Sequence, residues 1–331
     1  MKTRKIGKQI EVGAVGLGCM GMSSVYGGQD EGEAIKTLHR AIELGVTLFD
    51  TAEAYGPHTN ETLLGKALKP HRQKVVIASK FGFEIVDRGN GPEETGNLDG
   101  TPENVRASVE GSLKRLGVDV IDIYYLHRVD PEVPIEDTVG AMAELVQQGK
   151  VRAIGLSEVS AATLRRAHRV HPIAAVESEY SLWTREPEVE ILPLCRELGV
   201  SFVPFSPLGR GMLTGALRTL DALDKDDFRR TLPRFDPANF DRNVAVVTSL
   251  ENLASAKGYT AAQLALAWVL HQGDFIVPVP GARKIPNLEQ NVVAADIVLD
   301  AADADDIGSL LSPETVSGER YSDEHLQLVN R

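Results

Sequence analysis

From Ala14 to about residue 295 the chain repeats one pattern: a short apolar run rich in Val, Ile or Leu, then a stretch with helical spacing. The runs are Ala14–Gly18, Leu48–Asp50, Val75–Ser79, Ile121–Leu126, Val151–Leu156, Ala174–Glu177, Ser201–Phe205 and Phe275–Pro278. Short, nearly continuous apolar runs fit strands covered on both faces. Between them helices are expected over Glu31–Glu43, Asn60–Lys69, Pro102–Leu116, Ile135–Gln147, Ala161–His168 and Pro187–Leu198. Asn243–Lys257, Ala261–His271 and Leu288–Ala294 complete the set. Thr101, Ser160 and Thr260 precede three of these helices as N-caps, and Gly45, Gly117, Gly149, Gly199 and Gly258 follow others. Eight strand–helix units imply an α/β fold of the (β/α)8 or TIM-barrel type. No break in composition marks a linker, so residues 1–331 read as one domain. Lys5–Ile6 and Gln9–Val12, around Gly7, read as an N-terminal hairpin. Two segments escape the repeat. Arg218–Asn239 is expected to be a long loop after the seventh strand, beside the barrel mouth, and Ser312–Arg331 a mobile polar tail.

The balance of 35 Lys+Arg against 47 Asp+Glu gives a net charge of −12. A nucleic acid partner is therefore unexpected, because phosphate backbones are bound by excess Lys and Arg. Any anionic ligand must be met by a local basic cluster. The two cysteines, Cys19 and Cys195, are too few for a disulfide framework and fit a reducing compartment. The first ten residues lack a signal-peptide core, and no apolar run approaches the roughly 20 residues that cross a bilayer. A cytoplasmic protein without a membrane partner is expected. No heptad or long apolar stripe calls for assembly, so the expected state is a monomer.

Barrel sites lie where strands end. Asp50, Lys80 and His127 end the second, third and fourth runs, and Tyr55 follows Asp50 by five residues. Singly, each has an ordinary role: a solvated lysine, a structural histidine, a tyrosine packed in a turn. Together at one mouth they suit the protonation of an oxyanion. A phenol has a pKa of about 10 and is a poor acid or base near neutrality unless its phenolate is stabilised. The Lys80 ammonium beside Tyr55 would favour the phenolate, and Asp50 would hold that ammonium charged and oriented. His127 would orient a carbonyl oxygen at the same hydroxyl. No metal-ligand spacing and no activated Ser or Cys accompanies them.

In these segments the chain resembles the aldo-keto reductase superfamily. The resemblance rests on Val15-Gly-Leu-Gly-Cys-Met-Gly-Met22, Leu48-Phe-Asp-Thr-Ala-Glu-Ala-Tyr-Gly56, Ile77-Ala-Ser-Lys-Phe81 and Asp122-Ile-Tyr-Tyr-Leu-His127. Lys150-Val-Arg-Ala-Ile-Gly-Leu-Ser157 and Pro204-Phe-Ser-Pro-Leu-Gly-Arg-Gly211 extend it over nearly the whole chain. Together with Ser178-Glu-Tyr-Ser-Leu-Trp183, the last of these is similar to the monomeric perakine reductase and pyridoxal reductase branch. The resemblance implies direct hydride transfer between NADPH and an aldehyde or ketone, with Tyr55 as general acid and Asp50, Lys80 and His127 in support. It implies further that Ser157 meets the nicotinamide carboxamide, with Phe205 stacked on the ring and Ser206 beside it. Leu208, Arg210 and Gly211 would line the pyrophosphate path, and Gly18, Cys19 and Met20 the nicotinamide ribose. Val279-Pro-Gly-Ala-Arg-Lys284 resembles the adenosine-phosphate loop, which includes Gly281, with Gln290 and Asn291 near adenine. Arg283 and Lys284 form a basic pair suited to a 2′-phosphate, which favours NADP(H) over NAD(H).

Two positions depart from the family pattern. Glu158 stands where many relatives have Asn, and Glu177 where they usually have Gln. A carboxylate accepts from the carboxamide NH2 but cannot donate to its oxygen. Two carboxylates near the ring would favour the oxidised, cationic nicotinamide. The competing role for Glu177 is an ion pair with a neighbouring arginine. Tyr26, Phe81 and Trp183 are expected to face the mouth as an apolar substrate pocket, with Arg218–Asn239 as its lid. Two other functions use the same residues. One is a Schiff-base aldolase through Lys80, opposed by Asp50, which would keep the amine protonated. The other is a non-enzymatic nicotinamide-nucleotide-sensing module, similar to potassium-channel β subunits.

Overall fold

The computed structural model describes residues 1–23, 30–312 and 314–330. Its barrel consists of parallel strands β3 (Leu17–Gly18), β4 (Leu48–Asp50), β5 (Val76–Phe81), β8 (Ile121–Leu126), β9 (Val151–Ser157), β10 (Ala175–Glu179) and β11 (Ser201–Phe205), paired in that order. The eighth run closes the ring without forming a ladder of its own. Val277 and Val279 donate N–H bonds to the carbonyls of Phe202 and Pro204, and the carbonyls of Pro278 and Pro280 accept from Gly16 and Gly18. The physical reason is the pair of prolines, which lack the N–H that a regular strand needs. Isolated bridges remain at Phe202–Ile276, Phe205–Val279 and Gly18–Gly281. Gly155 permits close packing inside the ring, since a Cβ there would lie 2.4 Å from the Tyr125 ring.

The expected hairpin is present as β1 (Thr3–Ile6) and β2 (Ile10–Gly13), turned at Gly7 with φ +58°. Ile6, Ile10 and Val12 pack with Leu48, Val76, Ile123, Tyr125 and Val203 in one buried cluster. The hairpin thus plugs the lower end of the barrel and leaves the strands' C-terminal ends open. An unanticipated second hairpin, β6 (Phe83–Asp87) and β7 (Pro92–Leu98), rises beside that open end. Its first strand is only five residues long and its second, Pro92–Leu98, is polar, so the pair carries too little apolar alternation to mark it.

Around the barrel lie α1 (Glu31–Glu43), α2 (Thr59–Leu68), α3 (Pro102–Leu116), α4 (Ile135–Gln147), α5 (Ala161–Val170) and α6 (Ile191–Leu198). They are followed by α7 (Pro237–Ala256), α8 (Ala261–His271), α9 (Ile285–Val293) and α10 (Ala301–Leu310), with a last turn, α11 (Asp323–Leu326). The caps are as read from sequence: Thr101, Ser160 and Thr260 accept from the N–H groups of Asn104, Thr163 and Gln263. Helix α7 begins earlier than expected because Asp236 accepts from Ala238 and Pro237 occupies the first turn. The segment before it, beside the mouth, folds into short 3-10 turns at Leu220–Ala222, Phe228–Thr231 and Pro233–Phe235. The polar tail packs back across the barrel top. Arg320 reaches Glu158, Tyr321 is buried, and the Asn330 side chain accepts from the Ser160 N–H at 3.0 Å. No described helix is long and apolar enough to cross a membrane.

Arg4 fastens the plug. Its guanidinium donates to the carbonyls of Gly273 at 2.7 Å and Leu270 at 2.9 Å, and to that of Ile276. Arg4→Ala should lower stability by about 2 kcal/mol, as expected for charged hydrogen bonds lost at a half-buried site. Urea denaturation measures it. An unchanged midpoint would show that the hairpin's apolar face holds alone.

Candidate active site

The open end of the barrel forms a cleft of about 1420 Å3. That exceeds the roughly 300–1,000 Å3 of sites for drug-sized ligands. At its floor is Lys80, only 1% exposed at the end of β5. Its Nζ donates to both carboxylate oxygens of Asp50 at 2.6 Å, to the Thr51 carbonyl at 3.1 Å and to the Tyr55 hydroxyl at 3.1 Å. Glu177 Oε1 lies 3.2 Å from the same nitrogen. Neighbouring strands β4 and β5 bring Asp50, paired with Ala78, beside Lys80. Glu177 reaches in from β10, further round the barrel beyond β8 and β9, where it pairs with Ser157 on β9. His127 follows β8, and its ring meets those of Tyr55 and Phe83 edge-on, with centroids 5.7 and 4.9 Å away.

Burial and charge set the protonation states. Desolvation alone would pull the Lys80 ammonium down, but Asp50 and Glu177 hold it well above the ordinary lysine range. A lysine so protonated is no nucleophile, so the Schiff-base reading of Lys80 has no support here. Burial pushes the Tyr55 phenol up; Lys80 opposes this, while Asp50 and Glu177 add to the rise. The expected easing of the phenolate is therefore outweighed in the free protein, and Tyr55 keeps its proton. Burial, helped by Arg128 and Lys80, holds His127 well below the ordinary imidazole value and so neutral. Burial and the Asp50 charge push Glu177 up to about 8, against the pull of Lys80.

Several residues lie elsewhere than expected. Glu158 does not reach the cleft. Its backbone is left-handed, with φ +50°, and its carboxylate receives both Arg320 nitrogens, at 3.1 and 2.6 Å, and the Glu179 N–H at 2.8 Å. Burial raises its pKa, but Arg320 outweighs burial and holds it below the ordinary value. Phe81 is fully buried and stacks on Tyr124 at 5.1 Å, outside the cleft. Trp183 is buried under Gly209 with the Arg234 guanidinium 5.0 Å from its ring. The Cys19 side chain is also fully buried, although its neighbours Gly18 and Met20 line the cleft. Tyr26 lies outside the described residues.

The remaining expected residues gather along the cleft. Phe205, Ser206, Leu208, Arg210 and Gly211 line one wall, and Ser157 accepts from Arg128 at 3.2 Å. Arg210 pairs with Glu179 at 3.0 Å and lies against the rings of Phe228 and Tyr321. Gly281, Arg283, Lys284, Gln290 and Asn291 line the far arm, where Lys284 immediately precedes α9. A helix N-terminus beside two basic side chains is suited to an anion. Residues that sequence reasoning passed over include Arg128, Phe83 and Tyr321. Arg128 had a signal, since it directly follows His127. Tyr321 had none, lying in a polar tail.

A family model described as the aldo/keto reductase family matches residues 14–312. Among solved structures, the chain is similar to the glycerol dehydrogenase of Gluconobacter oxydans, at 30% identity and a TM-score of 0.85. That match covers 94% of this chain and 96% of the other. An aldo-keto reductase from Bacillus halodurans, in its holo form, is 29% identical with a TM-score of 0.79, covering 95% and 97%. An aldo-keto reductase from Klebsiella pneumoniae solved in complex with NADPH is 28% identical with a TM-score of 0.72, covering 94% and 95%.

Glu53 supports the loop that carries Tyr55. It accepts from the Gly82 N–H at 3.4 Å and from Ser108 at 3.3 Å, and burial pushes it up to about 7. The folded protein then holds a proton that the unfolded chain releases near its ordinary value of about 4.5. This contribution to stability is full below that value and is lost as pH rises through about 7. Glu53→Gln should flatten the pH dependence of unfolding free energy between about pH 5 and pH 8, removing up to roughly 3 kcal/mol of change. Urea titrations across that range measure it; equal slopes in both proteins would contradict the assignment.

Proposed function

Since the chain belongs to the aldo/keto reductase family, we propose that it is an NADP(H)-dependent oxidoreductase that reduces an aldehyde or ketone to an alcohol. The observation that carries this reading is the Tyr55 hydroxyl held 3.1 Å from a buried ammonium, with His127 beside it, at the floor of the cleft. The cleft's size and its far arm, with Arg283 and Lys284 at the head of α9, fit a phosphorylated dinucleotide. Phe205 and Ser157 would hold the nicotinamide end, and Gln290 and Asn291 the adenine end. When bound, the reduced nucleotide supplies the hydride that reaches the carbonyl carbon.

The chain's own residues manage the proton. Tyr55 donates its phenolic hydrogen to the carbonyl oxygen as negative charge develops there. In the resting site burial keeps that hydrogen on Tyr55. As the proton leaves, the Lys80 ammonium stabilises the phenolate. Asp50 keeps the ammonium charged and aimed. His127, neutral, is able to donate a hydrogen bond to the same carbonyl oxygen and so orient it. The substrate is a small carbonyl compound entering beside Phe83 and His127.

Purified protein mixed with NADPH and an aromatic aldehyde should consume NADPH, followed by its absorbance. Tyr55→Phe should lower kcat by about 10²- to 10⁴-fold, the usual contribution of a general acid, with nucleotide binding retained. Equal turnover by both proteins would remove Tyr55 from the role of acid. A second measurement addresses nucleotide choice. Replacing Arg283 and Lys284 together by Ala should raise the KM for NADPH about tenfold or more and leave that for NADH nearly unchanged. Equal losses with both nucleotides would place the pair away from the 2′-phosphate.

A further inference from the structure

Glu177 is 1% exposed and ends among groups that already satisfy one another. Lys80 makes its closest bonds with Asp50, and Glu177 Oε1 takes only the longer contact of 3.2 Å. Oε2 is buried and has no hydrogen-bond partner among the described residues. An ionised carboxylate there would place a second negative charge beside Asp50, with one oxygen unpaired in the barrel interior. Burying a charge that lacks partners is costly, and the common escape is protonation. A neutral acid has a hydrogen to give, and a hydrogen bond between the Glu177 and Asp50 carboxyls fits that form. Lys80 and Asp50 then balance in charge, and no net charge is left on the barrel floor.

We infer that Glu177 is a proton-carrying residue of the site whose ionisation sets the balance between oxidised and reduced nicotinamide. This rests on the reading of the cleft as a nicotinamide nucleotide site. Glu177 lines that cleft and pairs in register with Ser157 on one side and Val203 on the other, two residues before the position that pairs with Phe205. With Glu177 neutral, the floor carries no net charge. With its proton released to solvent, the floor carries one net negative charge, which attracts the cationic oxidised ring and not the neutral reduced one. Raising the pH therefore strengthens binding of NADP+ relative to NADPH, and reciprocally bound NADP+ favours loss of the Glu177 proton.

Other titratable groups facing Glu177 do not produce the same signal. Burial raises the Asp50 carboxyl on β4, against the pull of the Lys80 ammonium on β5. Asp50 takes the two short bonds from that ammonium and Glu177 only the longer contact, so the charge sits on Asp50 and the proton on Glu177. Tyr55, and Tyr125 on β8, are pushed up by burial and remain phenols. Cys19 and His127 share the field of Lys80, yet burial keeps the first as a thiol and the second as a neutral imidazole. Glu158 is held ionised by Arg320. Glu177, pushed up to about 8, is the member of the floor that titrates in the working range.

The test compares dissociation constants of NADP+ and NADPH, measured by calorimetry without substrate, at about pH 6.5 and pH 9. The phosphates are common to both nucleotides, so their titration cancels in the ratio. In the wild type, Kd(NADPH)/Kd(NADP+) should rise about fivefold or more over this range. In Glu177→Gln, which keeps the shape of the neutral acid, it should stay flat. Infrared difference spectra of the nucleotide-free protein on raising the pH should show the loss of a carboxylic-acid carbonyl band in the wild type that is missing from Glu177→Gln, beside the Glu53 band common to both proteins. A flat wild-type ratio with both nucleotides bound overturns the inference and leaves the oxidoreductase reading intact. A pH-dependent ratio that survives in Glu177→Gln, or infrared spectra in which wild type and Glu177→Gln lose identical sets of carboxylic-acid bands, also overturns it. Failure of both nucleotides to bind removes the nucleotide reading and this inference with it.

Discussion

Transferring a lysine ammonium from water into a barrel interior costs several kcal/mol even after relaxation, and a lone buried lysine usually gives up its proton instead. Lys80 keeps its proton because Asp50 grips it with both oxygens, while the Thr51 carbonyl and the Tyr55 hydroxyl accept its other hydrogens. Much of the architecture serves this arrangement. Strands β4 and β5 must be adjacent and in register for the carboxylate to arrive, and the hairpin must seal the barrel from below. A sealed floor also excludes water, so the ammonium acts on Tyr55 across a poorly screened distance. The same burial that makes Tyr55 a weak acid at rest makes the stabilisation by Lys80 strong once the phenol begins to ionise.

The upper half of the molecule works by different physics. Its segments are rich in polar residues, and ion pairs join the burial of Met212, Leu213, Leu232 and Phe235 in holding them. Glu179, at the end of β10, pairs with Arg210 and lies within 4 Å of Arg234 and Arg320. Those arginines come from the loop after β11, from the segment before α7, and from the C-terminal tail. One carboxylate thus gathers three chain segments around the cleft. Arg234 also covers Trp183, and Arg210 lies between Phe228 and Tyr321. Each guanidinium combines charge with a flat face that packs on aromatic rings. The walls of the cleft are therefore built by residues that local patterning reads as surface loops.

That contrast decides what was legible in the sequence. The barrel strands, the caps of α3, α5 and α8, and the positions of Asp50, Tyr55, Lys80 and His127 follow from local apolar runs and from the rule that strand ends carry function. Hairpin β6–β7 and the packing of the tail follow from contacts between residues far apart in the chain, as with Glu158 and Arg320, 162 positions apart. No period in the sequence encodes such a pair. Phe81 and Trp183 show the same limit from the other side. Both are aromatic and close to functional segments, yet Phe81 faces outward onto Tyr124 while Phe83, two residues on, turns to His127. The bend at Gly82, with φ +118°, separates their fates, and composition alone does not reveal it.

The two glutamates that depart from the family pattern started as one question and have two answers. Glu158, turned by a left-handed backbone, meets a bidentate arginine and a backbone N–H, enough donors to carry its charge in the interior. Glu177 meets a lysine already committed to Asp50, and one of its oxygens finds no donor. Identical side chains, both nearly inaccessible to water, are thus pushed to opposite sides of neutrality by the supply of hydrogen-bond donors around them. The charge of Glu158 becomes part of the scaffold that anchors the tail. The proton of Glu177 remains exchangeable on the floor, where a ligand's charge is felt.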